Sequence, residues 1–189
     1  MIRIVAVDER FFSDHGLCSI ENELVPNTDV SRNRPYVVVL KLRFRGKFYD
    51  FAIPFRSNIA GHRDKFEYFA LPPRKETKSG NIHGLHFIKM FPVKKSYLIK
   101  YRFPKDNASA NLTRSFIKKN LGRLVAGTKT YLEKYQADLR PQFCVDIDKL
   151  CEAISEPTEP ERNCTNQVKC NDYGSNPSTA ENELPLEAH

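Results

Sequence analysis

No stretch of this sequence comes near the roughly twenty consecutive apolar residues that a membrane-spanning helix needs. The short apolar start is interrupted by Arg3 and Asp8, which does not fit a signal peptide, and the protein is expected to be cytoplasmic. Cysteine is sparse and odd in number: the five residues Cys18, Cys144, Cys151, Cys164 and Cys170 show no zinc-ribbon spacing and are read as reduced thiols. No segment repeats internally. His83 and His86 lack a neighbouring Cys or Asp and make a poor metal pair, so no metal site and no cofactor are expected. Basic residues are scattered over strands and loops rather than gathered on one recognition helix, which argues against a DNA-binding regulator.

What remains is a strongly divided charge. The 189 residues carry a formal net charge of +7, but residues 151–189 hold two basic against eight acidic residues. The first 150 residues therefore hold 28 basic and 15 acidic groups, and a body this basic attracts polyanions, of which nucleic acid is the commonest. The bland alternative is a basic surface kept for solubility. The length suits one domain with a real core followed by a tail. We place a folded domain at 1–153 and an acidic, disordered tail at 154–189, where Pro, Glu, Asn, Ser and Thr dominate.

Along the domain, Ile2–Val7 reads as a strand, and Asp8–His15 as a helical turn presenting Phe11 or Phe12. Ile20–Leu24 leads into a reversal at Val25–Asn27. Tyr36–Phe44 begins as a buried run and then alternates, with Leu42 and Phe44 inward and Lys41, Arg43 and Arg45 outward. Gly46–Lys47 marks a hairpin turn into a strand over Phe48–Phe55, antiparallel to its predecessor. Arg63–Ser79 is a long connection in which basic residues alternate with Phe66, Tyr68 and Phe69. That composition grips single-stranded nucleic acid by charge and base stacking. Gly80–Val93 reads as a turn and one strand, and Ser96–Phe103 alternates. From about Asn111 the apolar period becomes helical and runs to Pro141, with Ser109 or Asn111 as N-cap and a bend or break at Gly122 and Gly127. Asp146–Ile154 adds a short helix.

The chemistry gathers in Phe51–His62. An apolar run carries Pro54, which belongs at a strand end or bulge because it cannot donate to a sheet ladder. Arg56, Ser57 and Asn58 follow, with His62 five residues after the serine. RNA is cut without a metal when its own 2′-OH attacks the adjacent phosphate. Such an enzyme removes that proton, balances charge on the five-coordinate phosphorane and protonates the 5′ oxygen. Arginine or lysine suits the charge, histidine the proton and serine a hydrogen bond to phosphate. Read alone, the same residues also fit a polar turn. Lys89, inside an apolar run, is either a solvent-facing strand position or an inward phosphate ligand.

The ordered set Val25–Pro26–Asn27, Arg34–Pro35–Tyr36–Val37, Pro54–Phe55–Arg56–Ser57 with His62, Gly84–Leu85–His86–Phe87 and Met90–Phe91–Pro92–Val93 resembles the ToxN/AbiQ toxins of bacterial type III toxin–antitoxin systems. The CptN branch is the most similar. The resemblance covers about Met1–Val93 and the helical segment, not the acidic tail. It implies an α+β fold: a strongly twisted antiparallel sheet, a Kid/MazF-like, partly open barrel, flanked by helices. It implies a metal-independent endoribonuclease leaving 2′,3′-cyclic phosphate and 5′-OH ends. Its partner would be a repeated RNA antitoxin, processed into pseudoknot units that close the toxin into an inactive complex, and its release would cause growth arrest and phage defence.

Carried onto this chain, the resemblance puts the catalytic hydroxyl at Ser57 and the family histidine at His62. A basic residue falls on Arg34 and an aromatic on Phe11. Two departures stand out: Ile59 replaces an active-site lysine, and Lys89 replaces an aromatic. Arg34, Arg56 and Lys89 are then expected to stabilise the phosphorane, Ser57 to orient the phosphate and His62 to transfer protons. Phe11, Tyr36, Asn58, Arg63, Lys65, Phe66, Tyr68, Arg74, Lys75, Lys78, Lys94 and Lys95 are the expected RNA contacts. The partners are this RNA antitoxin and cellular or phage RNA, with neither membrane nor DNA. The rival is a non-catalytic RNA-binding module in which Arg56 and Ser57 only hold phosphate.

Overall fold

Strands β1 (Arg3–Val7), β2 (Tyr36–Phe44) and β3 (Lys47–Ala60) form the centre of an antiparallel sheet, in a computed structural model that describes residues 3–24, 36–100 and 108–155. Strands β4 (Tyr68–Ala70), β5 (Asn81–His86), β6 (Phe91–Val93) and β7 (Leu98–Lys100) complete it in the order β4-β5-β3-β2-β1-β7. Strand β6 pairs with β3 off this path, and the described strands do not close into a barrel. Helices α1 (Arg10–Asp14), α2 (Leu17–Ile20), α3 (Ala108–Lys119), α4 (Leu121–Gln136) and α5 (Ile147–Ser155) make the whole an α+β fold. No helix among the described residues is long and apolar enough to cross a membrane. Val25–Asn27, Arg34 and the acidic stretch beyond Ser155 lie outside the described residues.

The alternation in β2 holds: Leu42 and Phe44 are buried while Lys41, Arg43 and Arg45 are exposed. The β2–β3 turn sits one residue earlier than expected, at Arg45 and Gly46, with φ of 47° and 81°. Two positive φ values match the right-handed twist of the paired strands, a conformation glycine accepts freely and arginine at a cost. Arg45 is fastened there by ion-pair contacts of 3.0 and 3.2 Å to Asp148 of α5.

Pro54 neither ends its strand nor occupies a bulge; β3 runs on to Ala60. On one side Pro54 pairs in register with Tyr36. On the other side β3 changes partner, from β6 at Asp50–Ala52 to β5 at Phe55–Ala60. The missing N–H of Pro54 falls in that gap, where no ladder bond is lost.

Residues Arg63–Ser79 are more tightly bound than a free loop. They contain β4, and the Leu71 N–H donates to His83 O at 2.8 Å while the Phe87 N–H donates to Glu67 O at 2.8 Å. The single strand expected over Gly80–Val93 is two strands separated by a 3-10 turn at Phe87–Lys89. That turn sends Phe87, Ile88 and Met90 all into the core, which a regular strand, alternating its faces, could not do.

The helical segment breaks at Asn120, not at a glycine. Its backbone N–H donates to Phe116 O at 3.0 Å and its side chain donates to the same carbonyl at 2.9 Å. Helix α4 runs through Gly122 and Gly127; a Cβ at Gly127 would meet the Phe87 ring at 3.2 Å, so glycine there permits close packing on the 3-10 turn. Ser109 and Asn111 are not caps but lie within α3. Phe44, Phe51, Ile53, Leu85, Phe87, Met90, Leu124, Tyr131 and Tyr135 fill the main core between the sheet and α3–α4. A second cluster, with Phe11, Phe12, Leu17, Phe91 and Leu150, lies under α1, α2 and α5.

Candidate functional site

Arg56 and Ser57 occupy an irregularity in the β3–β5 ladder. Arg56 pairs with Gly84 and Ile59 with Ile82, so Ser57 and Asn58 together stand opposite the single residue His83. Such a bulge twists the strand locally and re-aims its side chains, and bulges are frequent beside active sites. The polar cluster is therefore built into a strand, not carried on the loop beyond it. Gly84 matters here: a Cβ on it would lie 2.6 Å from the carbonyl oxygen of Phe69, so only glycine lets β4 approach β5 this closely.

Asn58 is exposed, and its side chain is already engaged with the protein's own backbone. Its Oδ1 accepts from the Lys78 N–H at 2.8 Å, and its amide reaches Glu76 O at 3.5 Å, which ties the end of the basic connection to the bulge. Ile59, where the resembling family has lysine, is buried in the interior.

At the centre of this region is His86, at the end of β5 and paired in register with Tyr68. Its Nε2 is enclosed and has no hydrogen-bond partner among the described residues. Burial first, then the charges of Arg56, Lys89 and Arg63, bring its pKa down to about 3 from an ordinary 6.5. The imidazole is thus neutral at pH 7, and the three cations that act on it come from three elements: a strand, the turn after it and the 3-10 turn.

Two of those cations hold carboxylates. The Arg63 guanidinium lies 3.2 Å from the buried Glu67. The ammonium of Lys89 is inward, not solvent-facing; it pairs with Glu23 and donates to the Phe143 carbonyl at 2.6 Å. His62 stands on the turn after β3, exposed. Arg34 lies outside the described residues, as does the side chain of Tyr36.

The remaining expected RNA contacts divide. Phe11 is a correction: it is fully buried, its ring 5.5 Å from Phe12 and 5.4 Å from Tyr97, and it has no face for a base. Both phenylalanines of α1 are drawn inward because this short helix is covered by Phe91 and Tyr97. Phe69 packs against Phe116 in the main core. Phe66 leans on the same core and has the Lys134 ammonium 4.0 Å from its ring centroid, so one of its faces is already taken. Tyr68 and Arg74 are half-buried; Lys65, Lys75, Lys78 and Lys95 are exposed, and Lys94 is half-buried.

His83 is fixed apart from this group, its Nδ1–H donating to Pro72 O at 2.7 Å. Among the described residues no three His, Cys, Asp or Glu come together to hold a metal ion. Sequence reasoning missed His86 as part of the site, together with the carboxylates Glu23 and Glu67. The signal was faint: His86 stands in the Gly84–Phe87 motif, but only the strand register shows which cations reach it.

This architecture has solved counterparts. One is a chain from a bacterial type III toxin–antitoxin system with selective toxin inhibition by a non-coding RNA pseudoknot. It matches at a TM-score of 0.63 and 20% identity, over 84% of this chain and 99% of that one. A chain from a bacterial antiviral system regulated by a processed non-coding RNA matches at 0.61 and 13% identity, over 82% and 99%. AbiQ, a lactococcal anti-phage endoribonuclease of a type III toxin–antitoxin system, matches at 0.63 and 14%, over 82% and 97%. These likenesses show a common fold. No protein-family model matches the sequence, and no curated protein matches it.

Proposed function

We propose that this chain is the toxin of a type III toxin–antitoxin system, of the CptN branch its motifs resemble, and that it is a metal-independent endoribonuclease. The observation that carries the reading is the β3–β5 bulge, which sets Arg56 and Ser57 in a fold that type III toxin–antitoxin chains also have. The ribose 2′-OH attacks the neighbouring phosphorus, the P–O5′ bond breaks, and the products carry 2′,3′-cyclic phosphate and 5′-OH ends. Arg56 balances charge on the phosphorane, and Ser57 donates to a non-bridging oxygen to hold the phosphate in line. The exposed lysines Lys65, Lys75 and Lys78 attract the rest of the strand. The partner is a repeated pseudoknot RNA that the toxin processes and that then inhibits it; cellular or phage RNA is the target once the toxin is released.

Incubating the purified protein with the repeat RNA encoded upstream of its gene tests this reading. Repeat-length fragments ending in cyclic phosphate are expected, with a chelator present or absent. Ser57→Ala should slow cleavage by about 10²–10³-fold, the usual cost of one lost hydrogen bond to a developing oxyanion, with RNA affinity nearly unchanged. Tight binding without cleavage by the unmodified protein would instead make the chain an RNA-binding module.

A further inference from the structure

The described residues hold five enclosed polar side-chain atoms without a partner: His15 Nε2, Arg74 Nε, His83 Nε2, His86 Nε2 and the Tyr131 hydroxyl. A buried polar atom left unpaired is unfavourable, so such an atom asks for a reason. His15 sits among the rings of Phe11 and Tyr97, remote in sequence from the bulge. His83 is anchored through its other nitrogen to Pro72. Tyr131 is embedded in the core beside Phe87 and Tyr135. His86 differs from these in its neighbours: it lies two residues along β5 from Gly84, the register partner of Arg56, and so on the same face of the sheet as that arginine. Arg63 is tied to Glu67, whose carbonyl accepts from the Phe87 N–H next to His86, and Lys89 closes the 3-10 turn that follows. These three cations are groups that attract a phosphate, and Arg56 is bonded directly to Ser57.

We propose that His86, rather than His62, is the catalytic base of this site, its imidazole nitrogen Nε2 taking the proton from the ribose 2′-OH next to the phosphate bound by Arg56, Arg63 and Lys89. This rests on the endoribonuclease reading above. As the proton passes to Nε2, the 2′ oxygen bonds to phosphorus and the P–O5′ bond breaks; the 5′ oxygen takes a proton from water, and the imidazolium later returns its own to solvent. Nε2 is enclosed in the RNA-free protein, so the surrounding side chains must part. Arg63 and Lys89 are held aside by Glu67 and Glu23, and an arriving phosphate competes with both carboxylates. Its negative charge also offsets the cations that keep the imidazole from accepting a proton, so binding of substrate strengthens the base. His62, by contrast, is exposed on its turn.

The test begins with cleavage by the unmodified protein; if none is seen, the endoribonuclease reading fails and this inference with it. If cleavage is present, His86→Gln should lower kcat by about 10²–10⁴-fold with RNA affinity within a few-fold, whereas His62→Gln should leave both near the starting values. Added imidazoles should restore cleavage to His86→Ala, more so as their basicity rises. Equal rates in His86→Gln, or strong loss in His62→Gln alone, would overturn the assignment while leaving the nuclease intact. A measurement on the unmodified protein guards against variants that fail to fold. The acid limb of kcat should coincide with protonation of the His86 ring, followed by NMR in a complex with RNA carrying a 2′-deoxy sugar at the cleaved position. A limb at a different pH would refute the role.

Discussion

His86 makes a second, thermodynamic statement that does not depend on any reaction. Its folded pKa of about 3 lies below the ordinary 6.5, so between those values the unfolded chain binds the proton that the folded chain refuses. Stability from this group is therefore present above pH 6.5 and is lost as pH falls toward 3. His15 and His83 are also lowered, chiefly by burial, and act in the same direction. Each such group adds at most about 1.4 kcal/mol per pH unit to the slope. Urea unfolding at pH 7 and pH 5 should show a smaller loss on acidification in His86→Gln than in the parent. An equal loss would mean that this imidazole does not titrate as a buried neutral group. Other single residues were legible beforehand: Leu42 and Phe44 alternate inward, and Arg56 and Ser57 share one polar element. Phe11 was not, because two adjacent phenylalanines on a short helix give no hint that both are covered from above by Phe91 and Tyr97.

Elements show a sharper contrast between what a linear reading gives and what needs three dimensions. The boundaries of β2 agree with the pattern of apolar residues because its last residues alternate and the strand ends at a glycine turn. β4 escaped notice, being three residues long and stabilised by pairing with β5 instead of by a pattern of its own. The extension of β3 past Pro54 was hidden for a related reason: proline is tolerated where the strand exchanges β6 for β5, and that exchange is a property of the sheet. In the helical segment, glycine was a misleading guide; Gly127 serves packing against Phe87, and the break falls at Asn120. The β4–β5 contact gives an element-level test. Gly84→Ala would force a methyl group to within 2.6 Å of a backbone carbonyl, which cannot move aside as a side-chain tip would. A loss of about 1–3 kcal/mol in urea unfolding is expected, with faster amide exchange in β4; an unaltered midpoint would show that β4 is not closely seated.

At the level of the whole molecule, charge is the feature that composition alone made legible. Twenty-eight basic residues in the first 150 are the charge behind the proposed RNA affinity, which should carry a large counterion-release component. A plot of log affinity against log salt should be linear, with a slope of about −0.7 for each phosphate neutralised on a single strand. Substituting the exposed pair Lys75 and Lys78 by Gln should flatten that slope, with no more than a few-fold change in the rate of cleavage at saturating RNA. An unchanged slope would remove this segment from the RNA path. The antiparallel pairing of β2 with β3 was anticipated from their hairpin turn and the wider antiparallel sheet only from the family resemblance, whereas the partnership of basic and acidic groups around His86 was not anticipated at all. Glu23 and Lys89 are 66 positions apart, and no local pattern announces their meeting.

One tether described above bears on engineering. Because Asn58 grips the backbone at Glu76 and Lys78, the bulge and the connection that returns to β5 share a fastening. A foreign segment grafted in place of residues 63–79, with Asn58 kept, would lack its anchor point unless it also offered a backbone amide at the matching height. Chimeras that transplant the connection together with Arg56–Ile59 should therefore fold with fewer compensating changes than chimeras cut at the strand end.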